Sequence, residues 1–500
     1  MAPAVASAIF FGLLLLPHLC SSYETSHNPW SRRFVRLRSS NDESRPSTPT
    51  ETCSSIPSGG DHILILIDTR PLPLIHRSSP CSPLNGAGRR RQQQQPLSTD
   101  VFDRDVQRLR TILAAVQSGE ADATAAAAPA PAPASSVTLP IAGTVNGAVL
   151  GSLDYSVTVG YGTPAQQLPM DFDTLRLGSG TSTLRCKPCR SGQVPCDPAF
   201  NPGRSSSFAP VSCGPECPSV CHGSGCSFDV TFMSNHSVAA NGTFVKDTLT
   251  VSPSVTVASF VLACIDVDNI HFTGSSGLLD LSRSRFSLVS RLITSSSPTS
   301  NATAAISYCL PASEKSSRGF LSIGGALPDF SGGNAGSTPL VDDPLYKDSY
   351  LIKLVRLNVS DTELPATQSN LAALEVGTSF TFFPPAIYSA LRDEFRKQMS
   401  MYRPAPAYRM LDTCYNFTGL PGFEVPAVIL EFEGGAILQP DVDQMLYFVD
   451  GDSSFNYVCL AFAALPGDFP YAVIGNRAQQ TVEVVYDVQG GKVGFIQESC

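Results

Sequence analysis

Two segments of this chain, roughly two hundred residues apart, follow one pattern: an apolar residue, an acid, then a cluster of Gly, Ser and Thr. They are Met170-Asp-Phe-Asp-Thr-Leu-Arg-Leu-Gly-Ser-Gly and Leu374-Glu-Val-Gly-Thr-Ser-Phe-Thr. A repeat at that spacing points to a duplicated lobe, each copy bringing one acid. Five hundred residues are also too many for one core, which favours two lobes of similar size plus additional N-terminal sequence.

The sequence around the repeats reads as short strands. Its 40 prolines and 38 glycines, set among many Thr, Ser, Val and Phe, disfavour long helices. Strand-like runs recur, with turn residues between them, at Tyr155–Gly160, Phe244–Val251, Ser259–Ile265, Leu351–Leu357, Ser379–Phe383, Tyr447–Val449, Ala472–Ile474 and Val482–Tyr486. Helical patterns interrupt them only at Phe286–Leu292 and Pro385–Met401. The expected fold class is all-β with a few short helices.

The N-terminal third has a different character. Ile9–Leu16 is an apolar core followed by Pro17 and the small residues Cys20, Ser21 and Ser22, so residues 1–22 read as a secretory signal peptide, although no Lys or Arg precedes the core. No later run approaches the ~20 apolar residues of a membrane span, so none is expected. Residues 23–122 are rich in Arg and Ser. They contain one β-like stretch, His62–Ile67, and one helix-like stretch, Thr99–Val116, whose Val101, Val106, Leu109, Ile112 and Leu113 share a face. The Ala/Pro tract Ala123–Ala134 then reads as an extended linker and a place for proteolytic removal.

Charge and cysteine usage narrow the function classes. From residue 23 to 135 there are 13 arginines and 11 acids, whereas beyond that point 21 basic residues face 32 acidic ones. So acidic a body is poorly suited to nucleic acid or an anionic membrane. Of the 15 cysteines, twelve lie between Cys186 and Cys500. That even count suits disulfides in an oxidising compartment, as do Asn-X-Ser/Thr sites at Asn235, Asn241, Asn301, Asn358 and Asn416. The cluster Cys186-X-X-Cys189, Cys196, Cys213, Cys217, Cys221 and Cys226 has an alternative as a zinc site, but His222 is the only histidine nearby. His222, His236 and His271 fall in no serine, cysteine or metallo-hydrolase motif.

Tyr155-Ser-Val-Thr-Val-Gly-Tyr-Gly-Thr-Pro-Ala-Gln, Ser307-Tyr-Cys-Leu-Pro, Leu411-Asp-Thr-Cys-Tyr-Asn-Phe-Thr-Gly and the terminal Val473-Ile-Gly-Asn-Arg-Ala-Gln-Gln occur in a telling order. Together with Val485-Tyr-Asp-Val, Val493-Gly-Phe and Cys500, they resemble the plant nepenthesin-like branch of the pepsin family of aspartic proteases, over nearly all of residues 60–500. Leu74-Ile-His-Arg-Ser-Ser-Pro-Cys-Ser-Pro-Leu is similar to the prosegment of that branch. The resemblance implies a bilobal, pepsin-like double β-barrel with its cleft between the lobes. Residues 23–135 would be propeptide and linker, 136–340 the first lobe and 341–500 the second. It also implies a secreted monomer, extracellular in the apoplast or delivered to the vacuole, that holds a protein or peptide in the cleft without cofactor or metal. Cys414 and Cys459 would pair, and the Cys186–Cys226 cluster would staple an insertion of the first lobe.

The chemistry of such a fold needs two facing carboxylates, about 3 Å apart and sharing one proton, so that one acts as base and the other as acid while water attacks a peptide carbonyl. Relatives read Asp-Thr-Gly-Ser in one lobe and Asp-Ser-Gly-Thr in the other. By that correspondence the catalytic acids are Asp173 and Glu375, and the supporting turns comprise Thr174, Gly178 and Ser179 in the first lobe and Gly377 and Thr378 in the second.

Several departures cluster on this site. Leu175-Arg-Leu177 is inserted before Gly178-Ser179, which is expected to spoil the geometry of Asp173. Glu375 is longer by one methylene, a displacement of the size that costs ~10²-fold in rate. Val376 offers no hydroxyl to brace the two turns, the flap residue is Phe232 instead of tyrosine, and Asp280 stands where an apolar-apolar-Gly strand would carry glycine. The expectation is therefore an aspartic-type endopeptidase scaffold of attenuated or lost activity, the alternative being a non-catalytic binding or inhibitor protein on the same fold.

Overall fold

The computed structural model describes residues 33–36, 72–76, 79, 82, 101–106, 108–110, 112–113, 136–137, 148–149, 154–175, 180–187, 198–218, 221–222, 225–231, 238–252, 255–265, 270–271, 275–295, 303–311, 319–325, 327–343, 346, 348–364, 371–449, 455–467, 469 and 471–499. The chain is mostly β, with short helices at Leu288–Ser295, Pro385–Gln398 and Val442–Met445 and a further helical stretch upstream, over residues 101–106, 108–110 and 112–113. The helix Pro385–Gln398 starts where proline fixes the first turn, buries Ile387, Tyr388, Leu391 and Phe395 on one face, and places Arg396 and Lys397 in its last turn. Among the described residues, no helix is long and apolar enough to cross a membrane.

The repeat read from the sequence is a repeat of topology. In the first half, strand Gln166–Asp173 runs parallel to Gly277–Asp280, with Asp173 beside Asp280. Gly277–Asp280 also pairs antiparallel with Ser182–Arg185, which runs parallel to Val255–Ile265. The second half repeats the set: Leu371–Leu374 lies parallel to Ala472–Ile474, the latter antiparallel to Thr381–Phe383, and that strand parallel to Phe462–Ala464. The two inner strands of the second set, Ala472–Ile474 and Thr381–Phe383, are buried on both faces, which is why they read as unbroken apolar runs such as Ala472-Val-Ile. Each set ends its leading strand at an acid, Asp173 in one and Glu375 in the other.

The largest sheet, of 16 strands among the described residues, ties the molecule together. The closing strands Glu483–Asp487 and Lys492–Ile496 leave the second half to pair with Thr303–Cys309 and Ala335–Pro339. The upstream strand Leu72–His76 is inserted between Gly319–Gly325 and Tyr155–Tyr161. One continuous apolar core runs beneath both acids, with Val157, Phe172 and Leu279 from the first half and Val376, Ile474 and Tyr486 from the second and closing segments.

Disulfides join Cys186 to Cys264, Cys213 to Cys221, Cys217 to Cys226 and Cys414 to Cys459. Cys186 thus bonds outside its own cluster, anchoring it to strand Val255–Ile265. One expectation needs correction. Asn358 is only 6% exposed within strand Leu351–Val359, paired on both sides, so its amide is closed to a glycan. Asn416 is half-buried and its Oδ1 accepts from Thr418 N–H at 2.9 Å; Asn241 lies in strand Val238–Ser252. Gly178, Ser179, Phe232, Asn235, Asn301, the signal peptide and the stretch His62–Ile67 lie outside the described residues.

Cys414 and Cys459 face each other on neighbouring strands, 45 residues apart in the chain. The double variant C414A/C459A is expected to lose about 2–4 kcal/mol of stability while keeping its far-ultraviolet circular dichroism, as read from urea unfolding.

Candidate active site and the helix that fills it

Both acids are held alike. Leu175 N–H donates to Asp173 Oδ1 at 2.9 Å, and Gly377 N–H donates to Glu375 Oε1 at 2.7 Å, so each carboxylate is steadied by the amide two residues on. Both side chains are 1% exposed. Thr174 Oγ1 reaches across to donate to the carbonyl of Leu374 at 3.1 Å, bracing one turn against the other. The reciprocal brace is missing, because Val376 is a buried hydrocarbon. The second turn is instead fixed within its own half: Asn476 Nδ2 donates to Val376 O at 3.0 Å, Asn476 N–H to Thr378 O at 2.7 Å, and Gln479 Nε2 to Ile474 O at 2.8 Å.

The three extra residues are visible in the symmetry. Asp280 N–H donates to Ser182 Oγ at 3.0 Å, and its counterpart Gly475 N–H donates to Thr381 Oγ1 at 3.1 Å. Ser182 follows Asp173 by nine positions, whereas Thr381 follows Glu375 by six. The insertion nevertheless spares the acid. Contrary to the expectation that Asp173 loses its geometry, its amide bond and the Thr174 brace are in place, so the excess length lies beyond Leu175. Asp280 is likewise accommodated. It is 4% exposed, and its Oδ1 accepts from Ser282 N–H at 2.8 Å. At Gly475 a Cβ would stand 2.1 Å from Phe380 O, so the second turn leaves no room for a side chain there.

The space between the acids is filled by the chain itself. Arg108, on the upstream helix, places Nη2 2.8 and 2.7 Å from the two oxygens of Asp173, and 2.9 and 3.0 Å from those of Glu375. One nitrogen therefore bonds both carboxylates, and the Arg108 side chain is 6% exposed. Three further contacts seat the helix. Asp105 accepts from Ser379 N–H at 2.9 Å and Phe380 N–H at 2.9 Å, Arg104 pairs with Asp154 at 2.6 Å, and Phe102, Leu109 and Ile112 are buried against Leu175, Phe380, Phe469 and Tyr471. Asp154 in turn accepts from Ser379 Oγ at 2.8 Å and Asn476 Nδ2 at 3.1 Å, linking the helix to the Glu375 turn.

Electrostatics follow from burial and from this pairing. Burial pushes the Glu375 carboxyl up, the charge of Asp173 adds to the rise, and Arg108 opposes it. Burial would lower the Arg108 guanidinium, but the two carboxylates outweigh it and hold the proton more firmly. Asp105 is pushed up to about 7 by burial, against the pull of the Phe380 and Ser379 amides and of Arg104. Burial would raise Asp154 too, yet the charges of Arg104 and His76 and the bonds from Arg104 and Ser379 hold it well below the usual range.

Reading the sequence for apolar periodicity finds the helix but misses its function. Phe102, Asp105, Arg108, Leu109 and Ile112 recur at three- and four-residue steps, so both charges sit on the apolar face. An Asp and an Arg there demand buried partners of opposite character, and that is the signal by which the plug was open to discovery.

Comparison with known proteins agrees with this architecture. Residues 155–325 match the family described as xylanase inhibitor N-terminal, and residues 349–497 match xylanase inhibitor C-terminal. Aspartyl protease AED1 of Arabidopsis thaliana is 31% identical over 437 residues, covering 86% of each chain. Aspartic proteinase nepenthesin-1 of Nepenthes gracilis is 25% identical over 376 residues, covering 72% of this chain and 81% of that protein. Among solved structures, edgp superposes with a TM-score of 0.53 at 17% identity, covering 73% of this chain and 95% of that one. Basic 7S globulin from soybean superposes with a TM-score of 0.51 at 16% identity, covering 68% and 91%; at these identities the likeness concerns the fold.

The titrations give helix docking a pH window. Asp105 contributes stability that is complete below its ordinary 3.8 and lost as the pH rises through about 7; Asp154 contributes stability that is complete above 3.8 and lost as the pH falls below it. The melting temperature of the full chain is therefore expected to fall from mildly acidic to alkaline pH, and D105N to flatten that slope, in differential scanning fluorimetry across the range.

Proposed function

The chain belongs to the pepsin-like family of plant aspartyl proteases, and from that premise we propose that it is the secreted precursor of an aspartic-type endopeptidase of low activity, kept latent by its own upstream helix. The observation that carries this reading is the single Arg108 nitrogen bonded to both acids. Two carboxylates that share one atom as ligand face each other as a water-activating pair must. A cation held there blocks the position the water would take.

With the helix withdrawn, a water replaces that nitrogen. Glu375 donates to the substrate carbonyl, while Asp173 takes a proton from the attacking water. The proton returns through the pair to the departing amine. The substrate class is protein or peptide chain lying across the cleft, and the disulfides suit delivery through the secretory pathway to the apoplast or vacuole. Acid pulls the helix two ways, firming the Asp105 contact as that carboxyl protonates and loosening the Asp154 contact as the pH falls below 3.8. Cleavage in the tract Ala123–Ala134 is the step that separates helix from body.

The departures from family pattern set the rate. Glu375 reaches further than aspartate, and Val376 leaves the turn braced from one side only. Val376 also favours a second reading, a non-catalytic binding protein that uses the cleft or its rim to hold a protein or glycan, as the family description of xylanase inhibitors invites.

Full-length protein secreted from a eukaryotic host decides between them. F102A/D105A/R108A, in which the helix loses its main seats in the cleft, is expected to cut an unfolded protein at about pH 3–5 in a pepstatin-sensitive manner, with D173N added to it abolishing cleavage and E375D raising the rate by ~10²-fold. No cleavage by the folded F102A/D105A/R108A/E375D protein leaves the binding reading in possession.

A further inference from the structure

We propose that the second half carries a preformed recognition site for an aromatic residue followed, one or two positions on, by an Asp or Asn in an extended peptide, and that Phe102 and Asp105 occupy this site in the latent chain. The proposal rests on reading the cleft as a peptide-binding groove, whether or not the peptide is cut.

Phe102 is 1% exposed and sits in a box of three rings. It stacks on Phe380 with centroids 4.8 Å apart and meets Tyr408 and Tyr447 edge-on at 5.4 and 5.3 Å. The walls also touch one another, Phe380 to Tyr447 at 5.5 Å and Tyr408 to Tyr447 at 6.2 Å. All three come from the second half, so the box stays when the helix leaves. Such an arrangement favours a flat ring over an aliphatic side chain, because stacked and edge-to-face contacts add to simple burial.

Beside the box lies an acceptor site. The N–H groups of Ser379 and Phe380 both donate to Asp105, so Phe380 supplies a wall of the box with its ring and half of the donor pair with its backbone. The turn is fixed from behind: Thr378 O accepts from Asn476 N–H at 2.7 Å and Ser379 O from Arg477 N–H at 3.1 Å. Two parallel amides suit a carboxyl or carboxamide oxygen. Asp154, bonded to Ser379 Oγ, makes the neighbourhood partly negative, and for that reason Asn serves as well as Asp.

The spacing fixes the order. On the helix, Phe102 to Asp105 and Asp105 to Arg108 each advance ~4.5 Å. An extended chain rises about 3.3 Å per residue, so each step corresponds to one or two residues of ligand. The aromatic residue therefore lies furthest from the acids, the acceptor next, and the cleft centre one or two residues beyond.

Two measurements on the full-length chain test this. In F102A, where Asp105 and Arg108 still seat the helix and the box is vacated, N-acetyl-phenylalaninamide is expected to raise the melting temperature, an effect absent from wild type and from F102A/Y447A. In F102A/D105A/R108A, a fluorescein-labelled peptide with Phe and Asp two positions apart is expected to bind at least ~10-fold more tightly than to wild type by anisotropy, and Phe→Ala in the peptide to lose ~10-fold. Equal binding of the Phe and Ala peptides, or no shift of F102A by the amide, overturns the proposal. Binding with aromatic preference but no cleavage sinks the endopeptidase and leaves this site standing. Cleavage without aromatic preference does the reverse.

Discussion

Two buried carboxylates facing each other cannot both stay charged without a partner, and the structure is organised around supplying one. Arg108 delivers its nitrogen to Asp173 and Glu375 together, at hydrogen-bond distance from every oxygen of the pair. Burying a guanidinium is expensive, and only two matching acids with fixed geometry make it tolerable. The same demand explains why the helix is nailed down just ahead of Arg108, by Asp105 on the backbone of the second turn and by Arg104 on Asp154. The arrangement is mutual: the acids hold the arginine, and the arginine opposes the rise that burial imposes on the Glu375 carboxyl.

The two turns that carry the acids are built to different lengths. The second turn packs so closely on Gly475 that no side chain fits there. The first carries three more residues and tolerates Asp280 at the equivalent place. What is not compensated in kind is Val376, whose missing hydroxyl leaves Thr174 to brace the seam from one side.

The fold was largely legible from the sequence because its signals are local and repeated. Alternating runs such as Tyr155–Gly160 and Leu351–Leu357 fall inside observed strands, and the helix over Pro385–Met401 ends three residues early, at Gln398. The strands that carry the acids were harder to read. Gln166–Asp173 mixes Gln, Pro and Asp, and Gly277–Asp280 has only four residues, so neither shows a period until its partners supply one. At the site, Asp173 and Glu375 followed from the repeat, but Arg108 did not. Nothing in a single stretch of sequence says which helix lies across which cleft, since that relation is set by contacts between residues 65 and 267 positions apart.

The strand Leu72–His76 carries a consequence for maturation. It lies inside the largest sheet, bonded on one side to Gly319–Gly325 and on the other to Tyr155–Tyr161, with the Leu74 carbonyl close against Gly319 and His76 edge-on to Tyr155. Severing the chain downstream of the helix leaves this rung in its ladder. Pulling it out would open a slot through the middle of the molecule and strip two neighbours of their partners. On the latent-precursor reading the upstream region is part lid and part masonry, and a cell that discards the first must either retain the second or find another length of chain to wedge into the gap.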